Sequence, residues 1–184
     1  MESITKIIDG VIEREGGYIN HLSDPGGATM YGVTERVARA SGYRGPMREL
    51  PRSTAYAIYY RQYVAAPKFD DVAAIDAAVA EELIDTGVNA GTGRAATWLQ
   101  EALNALNCRG RDYPNIAEDG IVGRGTLAAL KAYKARRGRA ATATLLKALD
   151  VLQGGHYLRL ADNDSKFEDF ANGWFAHRIG NVAA

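Results

Sequence analysis

Apolar residues recur along most of this chain at helical spacing. Ile4, Ile7, Ile8, Val11 and Ile12 fall at i, i+3, i+4, i+7 and i+8, the stripe of an amphipathic helix. Ser3 is placed to cap its start, and Gly16-Gly17 to end it. The same spacing predicts helices over 34–41, capped by Thr34, and over 53–64, capped by Ser53. Further helices are predicted over 75–89, 93–107, 124–136, 141–162 and 166–178. The pattern breaks in two places. Asp24-Pro25-Gly26-Gly27 is a turn cluster, and the residues after it, Thr29 to Val33, suit a short strand or hairpin arm. Asn107 to Gly123, punctuated by Gly110, Pro114 and Gly120, reads as a loop. The fold class is therefore mostly α, with a small β-hairpin element near residues 24–33. A boundary near residue 90 divides 1–90 from a helical 91–184, but no linker composition marks it, so one integrated domain is expected.

Composition narrows the function classes. The 184 residues carry 22 basic and 22 acidic side chains, so no net charge draws the chain toward nucleic acid or an acidic membrane. The hydrophobic fraction of 47% is enough to bury a sizeable core. Cys108 is the one cysteine, which excludes an internal disulfide and suits folding in a reducing cytoplasm. The opening residues have no basic leader, and no stretch reaches the roughly 18 apolar residues of a membrane span, so neither a secretory signal nor stable membrane insertion is expected. His21, His156 and His177 are scattered, without HExxH or a Cys/His cluster, so the expectation is no metal and no cofactor. Gly91-Thr92-Gly93 and Gly123-Arg124-Gly125 lack the rest of a phosphate-loop pattern.

The candidate chemistry sits where the first helix ends. At about 100° per residue, Glu15 falls inside the apolar stripe and Glu13 on the opposite face. Glu13 is thus expected in solvent, and Glu15 against a core or cleft wall. A carboxyl group in apolar surroundings tends to keep its proton, and such an acid can protonate a leaving glycosidic oxygen. The alternative is a glutamate paired with a core arginine, or one frayed out at the helix end. A second carboxylate, Asp24, follows nine residues later on the glycine-rich turn, and the Thr29 hydroxyl five residues after that. Glycosidases typically place two carboxylates about the scissile bond. Asp24 also suits the first position of an ordinary turn.

The run Glu15-Gly16-Gly17-Tyr18-Ile19-Asn20, continued by Asp24-Pro25-Gly26-Gly27-Ala28-Thr29-Met30-Tyr31-Gly32-Val33-Thr34, resembles the signature of glycoside hydrolase family 108. Those proteins are N-acetylmuramidases of phage and prophage endolysins with a lysozyme-like helical fold. The resemblance implies peptidoglycan as substrate and Glu15 as catalytic acid. The spacing of Glu15, Asp24 and Thr29 is also similar to the Glu/Asp/Thr triad of phage-type lysozymes, which differs by one residue in its second gap. By that likeness Asp24 and Thr29 position the attacking water. Tyr18, Asn20 and Tyr31, in the same run, are the implied substrate contacts. Two other readings share much of this pattern: a lytic transglycosylase, and a non-catalytic wall-binding or secretion-associated protein. An endolysin without its own leader implies release through a holin; a monomer is expected.

In the second half, Ala96 to Asn104, then Asp119-Gly120-Ile121-Val122-Gly123 and Thr126, resemble the peptidoglycan-binding-type region of the same family. Asn89, one turn after Asp85, suits either an acetamido contact or a helix C-terminus. Tyr56, Tyr59, Tyr60 and Tyr63 form a helical stripe that suits a core face or a sugar platform, with Tyr60 the candidate sugar contact. Phe167, Phe170 and Trp174 are spaced to dock the last helix.

Overall fold

The computed structural model describes residues 2–19 and 28–182, and the side chains from Ile4 onward within them. Asn20, His21 and the Asp24 turn lie outside the described residues. The chain divides into two compact units, residues 1–66 and 67–184.

In the first unit, α1 (Glu2–Glu15) packs on α3 (Arg52–Tyr60). Ile4, Ile8, Val11 and Ile12 are buried as their spacing requires, with Ala55, Ile58 and Tyr59 among the buried residues of α3. Arg52 Nη1 donates to Asp9 Oδ1 at 2.6 Å, and the Thr5 and Tyr56 hydroxyls lie 3.3 Å apart. Between these helices come β1 (Thr29–Met30), β2 (Val33–Thr34) and α2 (Glu35–Ala40). The strands pair antiparallel, Thr29 with Thr34 and Met30 with Val33. The two residues left to turn the hairpin, Tyr31 and Gly32, both have positive φ (55° and 71°), as in the type I′ turns that match strand twist. Thr34 then caps α2, accepting from Val37 N at 3.3 Å.

Two expected caps fall elsewhere. The helical backbone of α1 begins at Glu2, so Ser3 lies inside the helix. Ile4 sets where the apolar stripe starts, which need not be where helical hydrogen bonding starts. For α3 the cap is Pro51, not Ser53. Its ring holds φ at −63° and leads directly into the helix. Beyond Tyr60 a π-helical turn, Arg61–Ala65, widens the helix, closed by Ala66 N donating to Arg61 O.

The second unit contains α4 (Phe69–Ala73), α5 (Ala77–Ala90), α6 (Thr92–Ala105), α7 (Arg124–Arg137), α8 (Ala141–Asn163) and α9 (Glu168–Arg178). α5, α6 and α8 pack on one another, α7 against α6 and α8, and α9 against α8. Leu83, Ile84, Leu99, Leu103, Leu130 and Leu145 fill the core. The helix expected over 75–89 starts later because buried Asp76 caps it, accepting from Val79 N. The same carboxylate takes Lys134 Nζ and Thr142 Oγ1, which together hold it below the usual carboxylate range despite burial. Residues 106–123 form the predicted loop, with Cys108, Arg109, Gly110 and Gly120 all at positive φ. α9 docks through Trp174, which stacks on Tyr157 at 4.8 Å; Phe170 stacks on Trp174 but stays exposed, short of the core contact expected for it.

Candidate active site

Glu15 is the last residue of α1, and Gly16 follows at φ 76°, a left-handed conformation that stops the helix. The chain then runs through Tyr18 to Ile19, whose backbone pairs with Thr29 through hydrogen bonds of 3.0 and 2.8 Å. Glu15 thereby meets the hairpin. A Cβ built on Gly32 would lie 2.8 Å from both Cβ and Cγ of Glu15, and 2.6 Å from the Tyr59 hydroxyl oxygen. Only a bare Cα fits at that crossing.

Glu15 differs from its expectation in one respect: it is exposed, not enclosed by the apolar stripe to which it belongs. The periodicity gives its direction correctly, but at the final turn of the helix that direction leads past the packed interface. Among the described residues no lysine or arginine pairs with it. Glu13 is in solvent as expected, at the edge of Arg52's reach.

Tyr59 stands beside the stem of this side chain. Tyr59 is buried on α3 and donates its hydroxyl to Tyr31 O at 2.8 Å, tying the hairpin turn to the helix. Tyr63, on the π-helical turn, stacks on it with ring centroids 6.0 Å apart and planes 13° from parallel. Burial and then the charge of Glu15 push the Tyr59 phenol up to about 12, and the same two causes raise Tyr63. Both stay neutral hydroxyls across any physiological pH.

The other sequence-predicted residues are placed as follows. Thr29 Oγ1 donates to Ile19 O at 3.4 Å. The Tyr18 ring lies under the Arg48 guanidinium at 4.1 Å, and Tyr31 sits at the hairpin tip, in the left-handed region. The tyrosine stripe splits into two i, i+4 stacks: Tyr59 with Tyr63, and Tyr56 with Tyr60. Tyr60 is exposed and lines a shallow groove with Tyr56, Ala57, Arg61 and Ala65. Asn89 belongs to the second unit, where its amide donates to Asp85 O one turn back at 2.7 Å. Tyr59, Tyr63 and Gly32 were not singled out as site residues by sequence. The available signal was the i, i+4 spacing of the two tyrosines, together with a glycine directly after the motif's Tyr31.

In the second unit the Asp119-Gly120 motif is held by Gln100 of α6. Gln100 Nε2 donates to Asp119 Oδ1, Ile121 O and Thr126 Oγ1 at 2.9 to 3.2 Å, and its Oε1 accepts from Gly120 N at 2.9 Å. Among the described residues no group of three or more His, Cys, Asp and Glu side chains is arranged to hold a metal, and no helix is long and apolar enough to cross a membrane.

Residues 8–91 match the family model of glycosyl hydrolase 108, and residues 94–179 that of a predicted peptidoglycan domain. The chain is similar to the solved structure of SagA from Brucella abortus, at 25% identity over 98% of this chain and 91% of that one, with a TM-score of 0.56. No curated protein matches the chain. The mostly helical, lysozyme-like fold and the two matches define the class, a glycoside hydrolase that degrades peptidoglycan. Residues 8–91 form a glycosyl hydrolase 108 region, and the predicted peptidoglycan domain follows it C-terminally. The two matches meet around Gly91, at the junction of α5 and α6, which pack together within the second compact unit.

Proposed function

We propose that this enzyme is an N-acetylmuramidase that hydrolyses the β-1,4 bond between N-acetylmuramic acid and N-acetylglucosamine, with Glu15 as general acid. The observation that carries the reading is the setting of Glu15: exposed, unpaired with any cation among the described residues, and backed by a glycine where helix meets hairpin. An acid so placed is accessible to a bridging sugar oxygen, and the bare backbone of Gly32 leaves it room. Protonation of that oxygen lets the leaving sugar depart as an alcohol while water attacks the anomeric carbon from the opposite face. Asp24 and Thr29 orient that water in this proposal, giving inversion. Tyr18, Asn20, Tyr31 and Tyr60 contact the glycan, with Asn89 as a further contact. An endolysin role, as a monomer released to the wall through a holin-type pore, is part of the same reading and rests on the likeness of the motif to phage enzymes.

The test is Glu15→Gln assayed on purified peptidoglycan. The variant should keep its circular dichroism spectrum and lose at least about a hundredfold in rate, the usual order for removing a general acid. Lysis at the parental rate would remove Glu15 from the mechanism. Mass spectrometry of the parent digest separates hydrolysis from transglycosylation: reducing muramic acid ends support the proposal, and 1,6-anhydro ends overturn it.

A further inference from the structure

Tyr56 and Tyr60 stack one turn apart on α3, with ring centroids 6.3 Å apart and planes 21° from parallel. The Tyr56 hydroxyl lies 3.3 Å from that of Thr5 on α1, so one ring of the pair is tied to a second helix. Beyond Tyr60 the π-helical turn changes which residue comes next on this face. In an α-helix it would be Val64, four residues on; the wider turn brings Ala65 there instead, and Val64 is fully buried. The small side chain leaves a groove of about 450 Å³ against Tyr56, Ala57, Tyr60 and Arg61, a size usual for small-ligand sites. Arg61 opens the π-helical turn, is exposed, and pairs with no carboxylate among the described residues. A guanidinium takes a carboxylate through two parallel N–H donors, and aromatic faces beside it cover apolar surface. In peptidoglycan the N-acetylated sugars are neutral, and the lactyl carboxyl of muramic acid is spent in its amide bond to the peptide. The free carboxylates of an intact strand therefore lie on the peptide stem.

We propose that the groove of Tyr56, Tyr60 and Arg61 is a subsite for the peptide stem of peptidoglycan, with Arg61 pairing a stem carboxylate and the two rings covering the stem's apolar side. The inference rests on the muramidase reading and names the part of the strand, beyond the sugars, that the enzyme recognises. Tyr59 and Tyr60 point about 100° apart on one helix, so the groove opens on the face next to the one that meets the Glu15 side chain. A helix with its side chains is about 10–12 Å across, and a three-residue peptide extends to about 10 Å. A stem attached to a muramic acid bound at Glu15 spans that distance.

The experiment is a chemical-shift titration of the full chain with the soluble tripeptide L-alanyl-γ-D-glutamyl-meso-diaminopimelate, and with the same peptide amidated at its carboxyl groups. The acid form should shift the amide signals of Tyr60 and Arg61. Arg61→Gln, an exposed change that should keep the parental melting temperature, should weaken its binding at least about tenfold, the usual order for losing a charged hydrogen-bonded pair. The amidated peptide should bind the parent and Arg61→Gln alike, because the lost partner is then missing on either side. Arg36→Gln removes the same charge from exposed α2 and should bind the acid form as the parent does. Equal losses in the two arginine variants, or inorganic phosphate displacing the tripeptide at equal concentration, would reduce the groove to general attraction for anions and overturn the proposal. So would shifts confined to residues outside the groove. Tripeptide binding does not use Glu15, so a failure of the muramidase reading appears in the lysis assay of Glu15→Gln, and a failure of this one in the titration.

Discussion

Gly32 and Glu15 approach so closely that a single added methyl group on the glycine would lie 2.8 Å from the glutamate's Cβ and Cγ. The hairpin turn and the end of α1 are therefore fitted to each other at one point, and that point is the stem of the proposed acid. The same methyl would meet the Tyr59 hydroxyl, which anchors the turn through Tyr31 O.

Gly32→Ala is expected to harm activity more than stability. The substitution strains a backbone at φ 71° and forces Glu15 or Tyr59 aside. The backbone strain alone costs about 1–2 kcal/mol. Gly42 serves as the comparison, since its φ is 96° and a Cβ there would meet nothing within 4 Å. Gly42→Ala should show a similar loss in melting temperature with parental hydrolysis, whereas Gly32→Ala should also lose at least about tenfold in rate through misplacement of the acid. Equal activities in the two variants would mean that the Gly32 contact does not position Glu15.

Gln100 is expected to be a keystone of the second unit. Its buried amide satisfies Asp119, Ile121, Thr126 and the Gly120 N–H together, so it fixes one end of a loop with no regular structure of its own. Gln100→Leu keeps the volume and strands those partners. Unsatisfied buried groups cost about 1–3 kcal/mol each, and part of the loop will find water, so a total loss of about 2–4 kcal/mol is expected from the shift in urea midpoint. A loss below about 1 kcal/mol would show that the turn stands without it. Gly120→Ala should be damaging for a different reason, because its Cβ would lie 2.9 Å from Gly93 O, a backbone atom on α6 that cannot swing away.

Most of the helical framework was legible in the apolar spacing, because a buried stripe such as Ile4, Ile8, Val11 and Ile12 leaves the same imprint in sequence as in the packed core. The short α4 was not legible. It follows Lys68 at φ 60°, and its five residues make little more than one turn, too few for a period to show. The same limit governs the site. A helical wheel gives the direction of Glu15 but not how far the partner helix extends beneath it, so the wheel leaves a walled and a frayed-out Glu15 both open, and the structure has it exposed at the helix end. The four tyrosines read as one stripe, yet consecutive residues Tyr59 and Tyr60 point about 100° apart, and that angle separates the stack beside Glu15 from the stack in the shallow groove. The Gly32 contact joins residues seventeen apart across a turn, information that no local period carries.

Glu82 is expected to make stability fall as pH rises through neutrality. It lies on α5, buried, with Thr86 Oγ1 donating to its Oε1 at 3.2 Å and no cation pairing with it among the described residues. Arg178 is engaged with Asp85, one of the charges that act on Glu82. Burial first, then the charges of Asp150 and Asp85, push the Glu82 carboxyl from 4.5 up to about 8. Between those values the folded protein holds a proton that the unfolded chain has released. The stability this group contributes is therefore fully present below about pH 4.5, declines by up to about 1.4 kcal/mol per pH unit above it, and is gone beyond about pH 8. Glu82→Gln, which mimics the protonated acid and keeps its volume, should match the parent near pH 4.5 and exceed it by about 2–3 kcal/mol at pH 7. Urea unfolding of both proteins at pH 4.5, 6, 7 and 8 reads the difference directly. A parental curve that runs parallel to that of Glu82→Gln across this range would mean that Glu82 ionises as readily in the fold as in the open chain.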